Sequence, residues 1–339
     1  MPSIDYLFSS APDQGTGKEV YEGIFWLRLP LPLALDHINV WLLDEGDAWT
    51  LIDTGPSFRE TRDAWTGLFA SIIKTRPIKR LIVTHYHPDH IGLLKWLCDR
   101  CNPDVYMSNP TYAHARRMFT SDFSSQAESL QIFCRAHDVP NPEFFAGFLS
   151  GGMYRRIVSG TIDNFTEIDD GTEISMGGRT WRAIMSNGHA RGHISFYCEG
   201  SGLFISGDQV LPRITSNVSL FEGDPDINPL EEYLSSLKRI GTLPEATEVL
   251  PSHGIIFRGL QHRIGEIEDS HKERNNKILA LCKQQVSTRT LIDRIFEREL
   301  DDLNWMLAFG ETLAHIRYLE KQGRIRSFLN DGRYYYQKV

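Results

Sequence analysis

Thr84-His85-Tyr86-His87-Pro88-Asp89-His90-Ile91-Gly92 is the stretch on which the reading of this chain turns. Three histidines and an aspartate fall within six residues, directly after the apolar run Leu81-Ile82-Val83. A short aliphatic run stops there and an amphipathic stretch begins at Ile91, so the spacing predicts a tight strand-to-helix turn. Imidazole nitrogen and carboxylate oxygen are the usual non-thiolate ligands of zinc. A catalytic ion needs only three of them and keeps a position for water. Four donors on one turn can seat more than one ion, and a turn held between regular elements keeps its geometry better than a free loop.

Upstream, Ile24-Phe25-Trp26-Leu27-Arg28-Leu29, Ile38-Asn39-Val40-Trp41-Leu42-Leu43 and Trp49-Thr50-Leu51-Ile52 are apolar and aromatic runs separated by turn residues such as Glu45-Gly46-Asp47. They read as neighbouring strands of an antiparallel sheet, the last ending at Asp53. Trp65, Leu68, Phe69 and Ile72 recur at helical spacing, which predicts an amphipathic helix near residues 58–74 packed on that sheet. Leu81 to Thr84 is the next strand. Between about 110 and 160 the pattern becomes helical and rich in large apolar residues: Tyr112, Met118, Phe119, Phe123, Phe133, Phe144, Phe145, Phe148, Met153 and Tyr154. This insertion reads either as an apolar lid over a substrate pocket, with Phe144 and Phe148 as contacts, or as an extra packed layer. Strand-like runs resume at Phe165–Ile168, Trp181–Ser186, Ile194–Cys198 and Leu203–Ile205 and give a second β-rich half, with Asp208 and His253 at strand ends.

At 339 residues the chain has room for two domains or one with an appendage. A formal charge of -8 argues against a protein whose main task is to coat nucleic acid. The start Met1-Pro2-Ser3-Ile4-Asp5-Tyr6 lacks a basic region followed by an apolar core, and no window has the apolar length of a membrane span; the expected location is the cytoplasm. Five cysteines do not suggest a disulfide framework. Cys98 and Cys101 form a C-x-x-C within an amphipathic stretch and are expected to be buried, reduced thiols.

The histidine turn resembles the signature of the metallo-β-lactamase superfamily, and four further segments follow that pattern in order. These are Leu51-Ile52-Asp53-Thr54-Gly55, Ser186-Asn187-Gly188-His189-Ala190-Arg191-Gly192-His193, Phe204-Ile205-Ser206-Gly207-Asp208 and Leu250-Pro251-Ser252-His253-Gly254. Asn187 stands where a proline is common. The resemblance implies a four-layer αββα sandwich over residues 1–260. It also implies a dinuclear site: His85, His87 and His189 around one ion, Asp89, His90 and His253 around the other, and Asp208 bridging. Such a site holds a shared hydroxide for hydrolysis. In the same pattern Asp89 doubles as the residue that orients that hydroxide and passes on its proton, and Asp53 supports the ligand loops from behind. His193 is read as a supporting or merely structural residue, and Tyr86 is expected to face away from the ions. Zinc suits imidazole and carboxylate donors; iron or manganese would also fit.

Residues 261–339 read as a separate module: a long charged helix over 261–281, two shorter apolar faces, and a hairpin turning at Asp331-Gly332. Three helices and a hairpin resemble a winged helix, but 14 Lys and Arg stand against 12 Asp and Glu from residue 262 onward, which favours packing or homodimerisation over nucleic acid. Three functions remain in view. The first is a hydrolase of a small ester, thioester or lactone, of the glyoxalase II-like or lactonase-like kind, with Arg213 and Asn217 after the bridging aspartate as candidate contacts to an acyl substrate. The second is a nuclease or phosphodiesterase, and the third a non-catalytic metal-binding interaction protein.

Overall fold

A computed structural model describes residues 3–32, 35–121, 127–221 and 227–339; Phe123 lies outside them. The chain begins with β1 (Asp5–Tyr6), β2 (Thr16–Tyr21), β3 (Ile24–Pro30), β4 (His37–Asp44) and β5 (Trp49–Ile52), then α1 (Arg59–Leu68), which runs on as a π-helical turn over Phe69–Ile73. Next come β6 (Ile78–Ile82), α2 (Pro88–Ile91), α3 (Leu94–Cys101) and β7 (Asp104–Met107). The insertion supplies α4 (Asn109–Thr120), α5 (Ala127–Ala136), α6 (Pro142–Leu149) and α7 (Tyr154–Ile157) before β8 (Thr166–Glu167). The second half contains β9 (Glu173–Met176), β10 (Arg179–Ser186), β11 (His193–Cys198), β12 (Leu203–Gly207), α8 (Pro229–Ile240), β13 (Glu248–Pro251) and β14 (Phe257–Arg258). The chain ends with α9 (Leu260–Leu281), β15 (Val286–Ser287), α10 (Thr288–Ile295), α11 (Asp302–Lys321), β16 (Ile325–Asn330) and β17 (Arg333–Lys338).

Two seven-stranded sheets result, ordered β2-β3-β4-β5-β6-β7-β8 and β1-β14-β13-β12-β11-β10-β9. Alternation along β4 shows why they stack. Ile38, Val40 and Leu42 face the core shared with α1 and α3, while Trp41 and Leu43 face the core between the sheets. Successive side chains of a strand point to opposite faces, so a strand apolar at every position is covered on both. The second sheet repeats this with Phe204 and Val249 against α8 and the start of α9. The layers are therefore helix, sheet, sheet, helix.

From β5 to β8 the first sheet is parallel, and so is the β12–β13 pair in the second. Ligand-bearing loops gather at the carboxyl ends of parallel strands, and here Asp53, the histidine turn, Asp208 and His253 follow β5, β6, β12 and β13. Two expectations need correction. Phe165–Ile168 does not open the second sheet, since Thr166–Glu167 pairs with β7 on the first. The strand before the histidines spans Ile78–Ile82 and stops short of Thr84, whose hydroxyl is used otherwise.

The insertion splits between two cores. Tyr112, Met118, Phe119 and Tyr154 of α4 and α7 join the core beneath the first sheet. Phe133, Phe144, Phe145 and Phe148 of α5 and α6 instead pack with Trp305, Phe309 and Leu313 of α11. Phe145 meets Trp305 edge-on at 5.3 Å between ring centroids. The expected substrate contacts Phe144 and Phe148 are thus packing residues of the C-terminal core. The break placed at residue 260 also falls on a shared element: Leu260, Ile264 and Ile267 of α9 belong to the outer layer of the second sheet, and Ile278 and Leu279 of the same helix belong to the C-terminal core.

In the C-terminal unit the three-stranded sheet is ordered β15-β17-β16, and its hairpin turns on Asp331 and Gly332, both at positive φ (47° and 73°). The middle of α11 is enclosed on all sides, with every residue from Trp305 to Ile316 buried except Leu307. Such a helix has no solvent face to present. Among the described residues no helix is long and apolar enough to cross a membrane. None of the five cysteines forms a disulfide, and Cys98 and Cys101 are half-buried rather than buried, with burial pushing the Cys98 thiol up to about 11.

Candidate metal centre

The turn after β6 drops its donors into the gap between the sheets because Pro88 starts α2 and His87 precedes it in extended conformation. His85 and His90 are fully buried, whereas His87 and Asp89 remain half-exposed and mark the open side. Asp208 follows a bulge at the end of β12, where Gly207 has φ 53° and an added Cβ would lie 2.4 Å from His193 Nε2. Glycine is required there on both counts.

Two donor sets form, His85/His87/His189/Asp208 and Asp89/His90/Asp208/His253, each with its ligand atoms within 4.8 Å of one another. Asp208 serves both. Its Oδ2 faces His189 Nε2 at 3.3 Å, and its Oδ1 faces His90 Nε2 at 3.3 Å and His253 Nε2 at 3.4 Å. Asp89 Oδ2 lies 3.3 Å from His253 Nε2.

The opposite ring nitrogens show that these sets call for cations. His85 Nδ1 donates to Thr84 Oγ1 (3.0 Å), whose own hydroxyl is given to Asp53 (2.8 Å). His90 Nδ1 donates to Asp53 Oδ2 (2.7 Å), His189 Nδ1 to the Asn217 carbonyl (2.8 Å) and His253 Nδ1 to the His37 carbonyl (2.8 Å). Acceptors on the far side fix the tautomers, so four Nε2 lone pairs point inward. His85 Nε2 meets His189 Nε2 at 3.2 Å and His87 Nδ1 at 3.0 Å, and buried His90 Nε2 faces only carboxylate oxygens, Asp208 Oδ1 at 3.3 Å and Asp89 Oδ2 at 3.6 Å. Lone pairs that converge in a buried space are stable only with a cation or proton among them. The residues fit two divalent ions.

The proton affinities say the same. Burial, then the neighbouring imidazoles, push His85 well below its ordinary value. Burial would lower His90 too, but Asp208, Asp89 and Asp53 outweigh it and raise it well above. Burial would raise Asp208, yet His90 and His253 hold it well below the carboxylate range. One part of the cluster repels protons while another gathers them next to the carboxylates, which is the charge pattern divalent ions replace.

Asp53 lies behind His90 and Thr84, and it takes a left-handed backbone (φ 65°) to get there. His193 accepts the Asp208 backbone N–H on Nε2 (3.1 Å), so it holds the loop of the bridging carboxylate; burial lowers it to about 3. The Tyr86 ring is turned away and stacks on His114 at 3.7 Å. Arg213 and Asn217 are not aimed at the cluster. Arg213 is exposed against Tyr6, with 3.3 Å from Nε to the phenol oxygen, while the Asn217 amide bonds Leu307 O and its carbonyl holds His189. Thr84, His37 and Asn217 are the supports sequence reasoning missed. Two of them act through backbone carbonyls, which carry no residue-type signal; only the Thr84 hydroxyl, inside the motif, was open to notice.

A third donor group, His271, Glu311 and His315, lies buried between α9 and α11. Three of its four ring nitrogens are chained: His315 Nδ1 is 2.8 Å from Asn275 Oδ1, and His271 Nδ1 is 3.2 Å from His315 Nε2, which leaves His271 Nε2 buried without a hydrogen bond. Glu311 is ion-paired with Arg274.

Residues 33–253 match the family described as metallo-beta-lactamase superfamily, and residues 276–339 match its metallo-beta-lactamase-like C-terminal domain. A protein of Bacillus subtilis strain 168 named probable metallo-hydrolase YqjP is 28% identical over 332 residues, covering 94% of this chain and 98% of its own. An atrochrysone carboxyl ACP thioesterase of Aspergillus fumigatus is 26% identical over 267 residues, 78% of this chain and 66% of that one. Among solved structures, a beta-lactamase domain protein from Burkholderia ambifaria superposes with a TM-score of 0.89 at 34% identity over 99% of this chain and 98% of its own. A metallo-beta-lactamase family protein from Thermus thermophilus gives 0.81 at 26% identity over 95% and 100%.

Proposed function

This chain belongs to the metallo-β-lactamase superfamily, and on that footing we propose that it is a metal-dependent hydrolase that cleaves a small ester, thioester or lactone at a dinuclear centre. The observation that carries the reading is the convergence of imidazole lone pairs in two sets joined by Asp208. His85, His87, His189 and Asp208 would hold one ion, and Asp89, His90, His253 and Asp208 the other. Zinc is the ion these donors suit best, with iron and manganese as alternatives. Bound ions supply a water of lowered pKa and neutralise charge that develops on the substrate oxygen.

The protein's own groups do the rest. Asp53 and the carbonyls of His37 and Asn217 fix ring directions, so the donors need not reorganise during reaction. Asp89 is partly exposed on the open side of the cleft, where it would take the proton shed by the attacking water and pass it to the departing oxygen or sulfur.

Acyl chemistry is favoured over phosphodiester cleavage by two further points. A relative is named as a thioesterase. The C-terminal unit, read here as winged-helix-like, has the middle of α11 buried except at Leu307 and so offers no charged α11 face there to nucleic acid. We take that unit to serve packing and to leave the substrate small. A rate screen of zinc-loaded protein on thioester, lactone, ester, β-lactam and bis-nitrophenyl phosphate substrates tests the reading. Turnover of an acyl compound, abolished in Asp208→Ala, is expected; cleavage of the phosphodiester alone would replace it with the nuclease reading.

A further inference from the structure

Gly310 stands inside α11, a helix of 20 residues, where glycine is the least favourable residue after proline. Its reason is a close approach. The segment from Ser216 to Phe221 crosses α11 here: Leu220 N donates to Gly310 O at 2.9 Å. An added Cβ on Gly310 would lie 2.6 Å from Ser219 Oγ and 2.7 Å from both Ser219 Cβ and Phe221 Cζ. The ring of Phe221 could swing aside, but Ser219 is short and moves only with its backbone.

The same strap reaches the metal centre. The Asn217 carbonyl accepts His189 Nδ1–H at 2.8 Å. The Asn217 side chain is fastened to α11 through Leu307 O (3.4 Å), and its Oδ1 accepts the Ser219 hydroxyl. His253, in the other donor set, is oriented by the His37 carbonyl at the start of β4 in the first sheet. The outer ring nitrogens of the two sets thus lean on different parts of the molecule, although the strap also touches the shared ligand, since the Ser216 hydroxyl donates to the Asp208 carbonyl.

We propose that α11 positions the His85/His87/His189 half of the centre: the helix surface at Leu307 and Gly310 sets the height of the strap, and the Asn217 carbonyl transmits it to His189. The C-terminal unit then bears more strongly on the ion that His189 holds than on the other, which it reaches only through Ser216 and Asp208. Gly310, Ser219 and Asn217 are positioning residues, and the inference rests on the dinuclear reading above.

The experiment is a Co2+ and Zn2+ titration of the metal-free full-length chain, with element analysis and thermal midpoints. Two ions are expected in the wild type, and a wild type that binds none would overturn the dinuclear reading itself. In Gly310→Ala one ion should weaken by roughly 10–100-fold, the size of effect seen when the group that orients a ligand is disturbed, while the other weakens clearly less. The midpoint of the metal-free variant should not rise, although alanine is the better helix former. Gly265→Ala in α9, where a Cβ meets nothing within 4 Å, should raise the midpoint and leave both ions. Ser219→Gly added to Gly310→Ala removes the clash and should restore the weakened ion in part, since it also removes the hydroxyl bonded to Asn217 Oδ1. Asn217→Ala, which keeps the carbonyl and loses the tether, should show the same selective loss should Gly310→Ala fail to fold. Wild-type affinity for both ions in Gly310→Ala and Asn217→Ala, or equal weakening of both ions, would overturn the coupling.

Discussion

Two clusters of buried histidines share this chain and have opposite character. In the centre between the sheets the outer ring nitrogens are committed to Thr84, Asp53, Asn217 and His37, and the inner lone pairs collide with one another. Between α9 and α11 each imidazole hands its hydrogen to the next acceptor, and an arginine neutralises the only carboxylate of the group. Counting donors within ion-binding distance does not separate the two. What separates them is the direction of the lone pairs and the charge beside them, since a guanidinium next to Glu311 repels a cation as surely as Asp208 between two histidine sets invites one.

The sharpest way to break this contrast is to remove one member of each cluster. Asp208→Ala deletes a donor from both sets; bound metal should fall below one ion per chain, and hydrolysis by at least about 10³-fold, equivalent to about 4 kcal/mol of barrier. His315→Ala should leave two ions and near wild-type turnover while costing about 2–4 kcal/mol of stability, because it strands buried polar partners and opens a cavity. Loss of metal in the second variant, measured by element analysis, would show that α9 and α11 hold an ion after all.

A smaller effect is expected behind the ligands. Asp53→Asn keeps the size of the side chain but weakens the bond to His90 Nδ1. Affinity for the ion at Asp89/His90/His253 should drop by about 10–100-fold, and that for the other ion by less, because Asp53 reaches His85 only through the Thr84 hydroxyl. Competition with a chelator of known strength reads this out; equal loss of both ions would show that Asp53 supports the fold rather than the ligand.

Weakest is a pH effect outside the centre. Burial lowers both His137 and His271 from 6.5 to about 4. Both are neutral when folded, and the unfolded chain takes up their protons as pH drops through 6.5. Their contribution to stability is full above that value and is lost on going down toward pH 4. Urea midpoints at pH 7.5 and pH 5.0 should therefore fall less steeply in His137→Phe than in the wild type; parallel slopes would mean His137 is protonated in the folded state.

The contrast also explains what the sequence disclosed. The metal turn, the strands that carry Asp53, Asp208 and His253, and the Asp331-Gly332 hairpin were legible because side-chain type and period carry them. The pairing of β8 with β7 was not legible, for a two-residue strand has no period. Nor was the fate of Phe144 and Phe148, because an aromatic stripe looks the same whether its neighbour is a substrate or α11. The supports of His189 and His253 are carbonyl oxygens, present in every residue, and only the fold selects Asn217 and His37. Gly310 was visible as a glycine amid helix formers, but its partner Ser219 lies 91 residues away in the chain.

The most direct test of the dinuclear centre is calorimetric titration of metal-free protein with Zn2+ in two buffers of different ionisation enthalpy. Because His90 and His253 carry raised proton affinity before the ions enter, binding of about two equivalents accompanied by proton release is expected, with the stoichiometry reduced in Asp208→Ala. No binding, or an Asp208→Ala variant that takes up the same two ions with the same proton release, would contradict the assignment.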